Sequence, residues 1–321
     1  MKLARDIPER HGLAARDLTG FVNGIEERGL AVNTFILLQN GKVTAEFARA
    51  PYRLDLPQML YSLSKSVTSI AAGIARDEAL LQLASPVISF FPDKLPEQIS
   101  AHLAKMTVHH LLSMNAGHEG NIYEAVAKEK DWVRAFLAQE VEHEPGSRYV
   151  YSTHSAYMLS AIIEQAAGQR LVDYLMPRLF EPLGIPRPSW ETCPLGTAAG
   201  GMGLSLSTES VAKFGLLLLN KGMYGGRRIV SEQYIELAAA EQSDNRAMAA
   251  ADRIDSAQGY GYQFHLCRYG CYRGDGSFGQ LCFVAPKENI VISAHAGFFR
   301  CPRSEQPLLQ DLGKSPRPPY C

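Results

Sequence analysis

The segment Leu60-Tyr61-Ser62-Leu63-Ser64-Lys65-Ser66-Val67-Thr68-Ser69-Ile70 constrains this chain more than any other, because a reactive spacing and a helical pattern coincide in it. After Lys65, the residues Val67, Ile70, Ala71, Ile74 and Ala75 recur at helical spacing, which predicts a helix with one buried face. The run Ala71-Ala72-Gly73-Ile74-Ala75 is small enough for close packing against neighbours. Ser62 and Lys65 form an S-x-x-K pair, and residues three apart share a helix face, so the amine reaches the hydroxyl within a turn. A serine hydroxyl is a poor nucleophile until a neighbour takes its proton, and a lysine does so when burial or nearby cations favour its neutral form. A helix start adds unpaired N–H groups and a positive dipole end, and the Ser62 N–H can face a substrate oxygen. The spacing alone is weak, since a capped surface helix explains most arbitrary matches. Context has to come from the rest of the chain.

A chain of 321 residues, 46% hydrophobic and 20% charged, can bury a sizeable core as one large domain or two interleaved lobes. Lys and Arg number 32 against 33 Asp and Glu, so no net field recruits nucleic acid or an anionic membrane, and small ligands are favoured. The N-terminus carries charges where a signal peptide needs an apolar core, and no apolar run approaches a membrane span, so the expectation is a soluble, cytoplasmic protein. Six cysteines crowd toward the C-terminal third, which is no disulfide framework. Cys267 and Cys271 lack a second pair to complete four metal ligands, and they read as hairpin packing. No metal and no cofactor is expected.

Residues 10 to 30 carry an apolar stripe of Leu13, Leu18, Phe21, Val22, Ile25 and Leu30, which predicts a surface helix on a core. Val32 to Leu38 and Val43 to Phe47 flank an Asn40-Gly41 turn signal and predict a hairpin. From about Thr107 the patterns turn helical, with a short helix capped by Thr107, another from Asp131 to Leu137, and a stop at Pro145-Gly146. His109, His110 and His118 cluster, but no carboxylate recurs at ligand spacing, so solvated or core roles are expected. Tyr151 and Ser152 stand where a loop enters the helix Ala156 to Ala167, a place from which polar side chains project into clefts. Gly200-Gly201-Met202-Gly203 does not fit a phosphate cradle. Ser207-Thr208-Glu209 caps a helix reaching Asn220, and from Gly259 the pattern is of strands.

Read in order, Ser62, Tyr151 and the glycine-rich strand Tyr272-Arg273-Gly274-Asp275-Gly276-Ser277-Phe278-Gly279-Gln280 give the chain a resemblance to the serine beta-lactamase and penicillin-binding-protein superfamily. The class C and esterase-like branch is the nearest match. Tyr61 to Ser66 is similar to its first motif, Tyr151-Ser152-Thr153 falls at its Y-x-N motif, and Gly276 to Pro286 looks like the strand after its K-T-G motif. The resemblance implies an α+β fold: an antiparallel sheet flanked by helices, from residues 1–85 and 255–321, with a mainly helical lobe at 86–254 inserted. It implies Ser62 as the acylated nucleophile, Lys65 as proton acceptor or electrostatic partner, and Tyr151 as second base. The oxyanion would rest on the Ser62 N–H and a strand N–H near Asp275.

Three departures qualify what the resemblance implies. Thr153 replaces the usual asparagine and loses its amide. Tyr272-Arg273-Gly274 stands where lysine-threonine-glycine is expected, one residue short, so the ammonium that grips a beta-lactam carboxylate is absent, with Arg273 as a candidate substitute. Residues 297–321 hold five prolines, which block the terminal helix that relatives place over the sheet, and an uncovered face predicts lowered stability. The candidate site is therefore Ser62, Lys65 and Tyr151, with Thr153, Arg273, Gly274 and Asp275 around substrate. The expected activity is hydrolysis of a small carboxylic ester or amide through an acyl-enzyme. A catalytically silent protein that binds a peptide or cell-wall fragment is the alternative, and a true beta-lactamase or carboxypeptidase ranks third.

Overall fold

The Asn40-Gly41 pair turns as its residue types require. Both residues adopt left-handed backbone (φ 49° and 76°), which twists the flanking strands into register. The computed structural model, which describes residues 2–248 and 254–297, places β1 (Val32–Gln39) against β2 (Lys42–Ala48) across this turn. Strands β3 (His265–Leu266), β4 (Tyr272–Gly276), β5 (Gln280–Ala285) and β6 (Ile290–Ala296) follow at the other end of the chain. They complete a six-stranded antiparallel sheet in the order β2-β1-β6-β5-β4-β3. The pairing of Phe35 with Ala294 and Leu37 with Ile292 joins the two ends of the chain.

Helices cover both faces of β1, which is why its interior residues are all buried and its pattern is not a simple alternation. Helix α1 (Ala15–Glu27) lies on the outer face, with the Phe21 ring 5.0 Å from Phe35 and Phe35 5.4 Å from Phe47. In helix α2 (Ser64–Asp77) every side chain from Ser64 to Ala75 is buried, as its small-residue face requires. It packs against helix α3 (Thr153–Ala167) in the principal core. Gly73 lets Tyr234 approach, since a Cβ there would stand 2.4 Å from the ring, and the Tyr234 hydroxyl donates to the Ser69 carbonyl at 2.8 Å. Helix α4 (Thr208–Leu219), capped by Ser207, lies on the inner face of the sheet, and Gly215 meets Val291 and Cys282 there.

Between α2 and α3 the chain is built of short helices whose starts are local. Thr107 caps Val108–Leu112 in a reciprocal box with His110, and the Asp131 carboxylate accepts from the Arg134 N–H to start Trp132–Leu137. His109 reaches the Tyr262 hydroxyl at 2.8 Å and His118 packs edge-on against Phe136, so all three clustered histidines have packing or capping roles. Cys267 and Cys271 are buried with Ala285, and the Cys267 N–H donates to the Cys271 carbonyl at 2.9 Å. No helix among the described residues is long and apolar enough to cross a membrane. The proline-rich tail from residue 298 onward, and the stability expectation drawn from it, lie outside the described residues.

Burial also sets a pH dependence. It pushes the imidazoles of His118, His154 and His295 down to about 4. Above the ordinary histidine value of about 6.5 both folded and unfolded chains hold these rings neutral. As pH falls below it, the unfolded chain takes up protons that the folded one refuses until about 4, so stability declines across that window. A melting temperature that is flat between pH 7 and pH 5 would contradict this expectation.

Candidate active site

Ser62 does not lie in helix α2. It sits in a tight 3-10 turn, Tyr61–Leu63, and the α-helix starts two residues later at Ser64. Tyr61 adopts left-handed backbone (φ 48°), which an α-helix cannot contain, and the Leu60 N–H is pinned to the Leu204 carbonyl at 2.8 Å. The expected contact survives the shift: Lys65 Nζ donates to Ser62 Oγ at 3.0 Å. Lys65 is only 2% exposed, so its amine is shielded from water while it faces the serine. The same nitrogen donates to the Gly201 carbonyl at 2.8 Å and to Thr153 Oγ1 at 3.3 Å.

Tyr151 and Thr153 come from the entrance of α3. The turn at Pro145-Gly146 (Gly146 φ 94°) sends the chain back, the Val150 N–H donates to the Met114 carbonyl, and Ser152 caps α3. This puts the Tyr151 ring beside the lysine, with Nζ 4.9 Å from its centroid. Ser62, Lys65, Tyr151 and Thr153, 91 residues apart at their extremes, thus meet in one place. Behind Tyr151 stand Tyr260, edge-on with centroids 6.4 Å apart, and His265, near-parallel at 6.3 Å. Burial holds the phenols of Tyr149 and Tyr260 well above their ordinary range.

Gly200 and Gly201, whose stretch fits no phosphate cradle, lie against the site through their carbonyl oxygens instead. The Gly200 carbonyl accepts from Thr68 Oγ1 at 2.8 Å and the Gly201 carbonyl from Lys65, so two main-chain oxygens fasten this loop to α2. Any side chain would prevent it, because a Cβ on Gly200 would stand 2.5 Å from the Ala156 carbonyl oxygen and one on Gly201 2.6 Å from that of Thr153. Paired glycines beside a helix core are the only sequence signal of such an approach.

The glycine strand closes the other side. Tyr272, Gly274 and Gly276 of β4 point toward α2 and the Ser62 turn, where a Cβ on Gly274 would stand 2.3 Å from Ser66 Oγ and one on Gly276 2.1 Å from the Leu60 carbonyl. Gly276 is therefore the residue that presses on the backbone of the Ser62 turn, two positions beyond the glycine picked from the motif. Strand β3 pairs with Tyr272 and Arg273, so among the described residues no strand lies beside this edge of β4 from Gly274 onward. Ser66 Oγ donates to the Gln263 carbonyl at 2.8 Å and Gln263 binds the Leu111 and Leu112 carbonyls, which fixes the loop before β3 to two helices.

Arg273 is committed to structure. Its Nε donates to Asp275 at 2.7 Å, Nη1 to the Asp255 carbonyl at 2.7 Å and to Cys267 Sγ at 3.0 Å, and Nη2 to Ser256 at 3.0 Å. A guanidinium with all three nitrogens engaged has no fork left for a substrate carboxylate. Asp275 also lies 3.7 Å from His265, whose imidazole is pushed down chiefly by burial. Among the described residues no group of three or more potential metal ligands occurs.

The beta-lactamase family model matches residues 18–297 of the chain. The 6-aminohexanoate-dimer hydrolase of Paenarthrobacter ureafaciens is 24% identical over 282 residues, covering 81% of this chain and 71% of that protein. A penicillin-binding protein homologue from Caulobacter crescentus has a TM-score of 0.71 at 18% identity, covering 92% of this chain and 94% of the other. A family VIII carboxylesterase has a TM-score of 0.66 at 20% identity, covering 88% and 92%. The chain belongs to the beta-lactamase family, whose relatives here include amide and ester hydrolases.

Proposed function

We propose that this protein is a serine hydrolase that cleaves a small carboxylic ester or amide through an acyl-enzyme on Ser62. The observation that carries the proposal is the 3.0 Å contact between a buried lysine amine and the Ser62 hydroxyl, with a tyrosine ring against the same amine. In its reactive form Lys65 takes the Ser62 proton as Oγ bonds to the substrate carbonyl carbon. The negative oxygen that develops rests on the Ser62 N–H and a main-chain N–H of the β4 edge near Asp275. Tyr151, next to the lysine, passes the proton to the departing alcohol or amine as the carbon–oxygen or carbon–nitrogen bond breaks. Water then attacks the acyl carbon and returns Ser62, giving the carboxylic acid.

Neutral substrates suit this cleft better than anionic ones, because Arg273 is saturated and a carboxylate, Asp275, stands on the same strand. Turnover of nitrocefin is accordingly expected to fall far below that of p-nitrophenyl acetate. The test is stopped-flow hydrolysis of p-nitrophenyl acetate or butyrate, with a burst of about one equivalent if deacylation limits turnover. Lys65→Ala is expected to lower kcat/KM about 10²- to 10⁴-fold and Tyr151→Phe about 10- to 10³-fold. Wild-type rates in both variants would remove the proposed proton path.

A further inference from the structure

The Ser62 turn carries an aromatic pair that the chemistry above does not use. The Tyr61 ring meets Phe278 edge-on with centroids 5.0 Å apart. Tyr61 directly precedes the nucleophile, and Phe278 is the second residue past Gly276, whose backbone presses on the same turn. Both residues adopt left-handed backbone (φ 48° and 67°), a conformation that costs a residue with a large side chain energy and that the surrounding turn and hairpin impose. The strain fixes the direction of two rings at one spot. Phe278 is nevertheless 40% exposed, so the pair forms a wall open to solvent rather than a piece of core.

Resting on the hydrolase reading, we infer that Tyr61 and Phe278 form the pocket wall for the acyl part of the substrate and select an apolar acyl chain over acetyl. The geometry of acyl transfer assigns the part. The leaving group must face its proton donor, on the Lys65 and Tyr151 side, and the oxyanion must face the N–H groups. The remaining substituent on the carbonyl carbon is the acyl chain, and the apolar wall that adjoins Ser62 is its place in this assignment.

The test compares p-nitrophenyl acetate, butyrate and hexanoate, which share a leaving group, with acetates of alcohols of increasing length, which share an acyl group. In the wild type kcat/KM is expected to rise with acyl length. In Phe278→Ala the hexanoate-to-acetate ratio falls about tenfold, and Phe278→Leu restores most of it. Phe278→Asn, which relieves the left-handed backbone, should show the same fall and separates lost contact from a disturbed hairpin. An unchanged ratio in folded Phe278→Ala and Phe278→Asn, or a change confined to the alcohol series, overturns the assignment. Those results would leave a Ser62-dependent activity intact, whereas failure of the hydrolase reading would show as no Ser62-dependent turnover of any ester.

Discussion

Replacing Ser62 by alanine is expected to abolish the burst with p-nitrophenyl esters and to cut steady-state turnover by at least about 10⁴-fold, with the melting temperature little changed. The effect is large because Ser62 presents the hydroxyl nearest the Lys65 amine, at 3.0 Å against 3.3 Å for Thr153. Stability should hold because Ser62 lies in a partly exposed turn, and the hydrogen bonds that pin this turn run through main-chain atoms of Leu60 and Leu63. The measurement is burst amplitude and kcat/KM beside a thermal melt of the same sample. Turnover within a few-fold of the wild type in a folded Ser62→Ala protein would sink the account.

Gly276→Ala is the second large effect. The added methyl would stand 2.1 Å from the Leu60 carbonyl oxygen, 3.1 Å from the Leu63 nitrogen and 3.2 Å from the Gln280 Cβ. Two of the three are main-chain atoms, so no rotamer change relieves the clash. Either the Ser62 turn or the end of β4 must move, at about 1–3 kcal/mol of stability. A shift near 1 Å in the Ser62 turn is expected to cost about 10²-fold in kcat/KM. Gly20→Ala in helix α1 is the control: nothing lies within 4 Å of its added methyl, so a helix-favouring change should raise stability by about 0.5–1 kcal/mol and leave activity unaltered. Urea melts and ester kinetics on both variants check the contrast, and a Gly276→Ala enzyme as active and stable as the wild type would remove the close approach from the account.

What could be read before the fold was local. The Asn40-Gly41 turn, the caps at Thr107, Asp131 and Ser207, and the small-residue face of α2 depend on neighbours a few residues away. The Ser62 and Lys65 pair was equally legible, although the helix begins two residues later than expected because of the left-handed Tyr61. The closure of one sheet by both chain ends came from the resemblance and not from periodicity, since the register of β1 with β6 links residues more than 250 positions apart.

What was illegible depends on partners the fold supplies. The role of Gly201 lies in its carbonyl oxygen, which carries no side-chain signature. Arg273 looked available for substrate until Asp255, Ser256 and Cys267, 6 to 18 residues away, were seen to consume its donors. Gly274 and Gly276 look alike in sequence, and only the distance to the Leu60 carbonyl shows which one abuts the Ser62 turn.

The central claim is that one hydroxyl, at Ser62, becomes covalently acylated. Its most direct test is reaction of the wild type and of Ser62→Ala with a fluorophosphonate probe, followed by intact mass and peptide mapping. The account predicts a single adduct per wild-type chain, on the peptide bearing Ser62, and none on the alanine variant. A wild type that stays unlabelled, or a label that persists at another residue when Ser62 is gone, would contradict it.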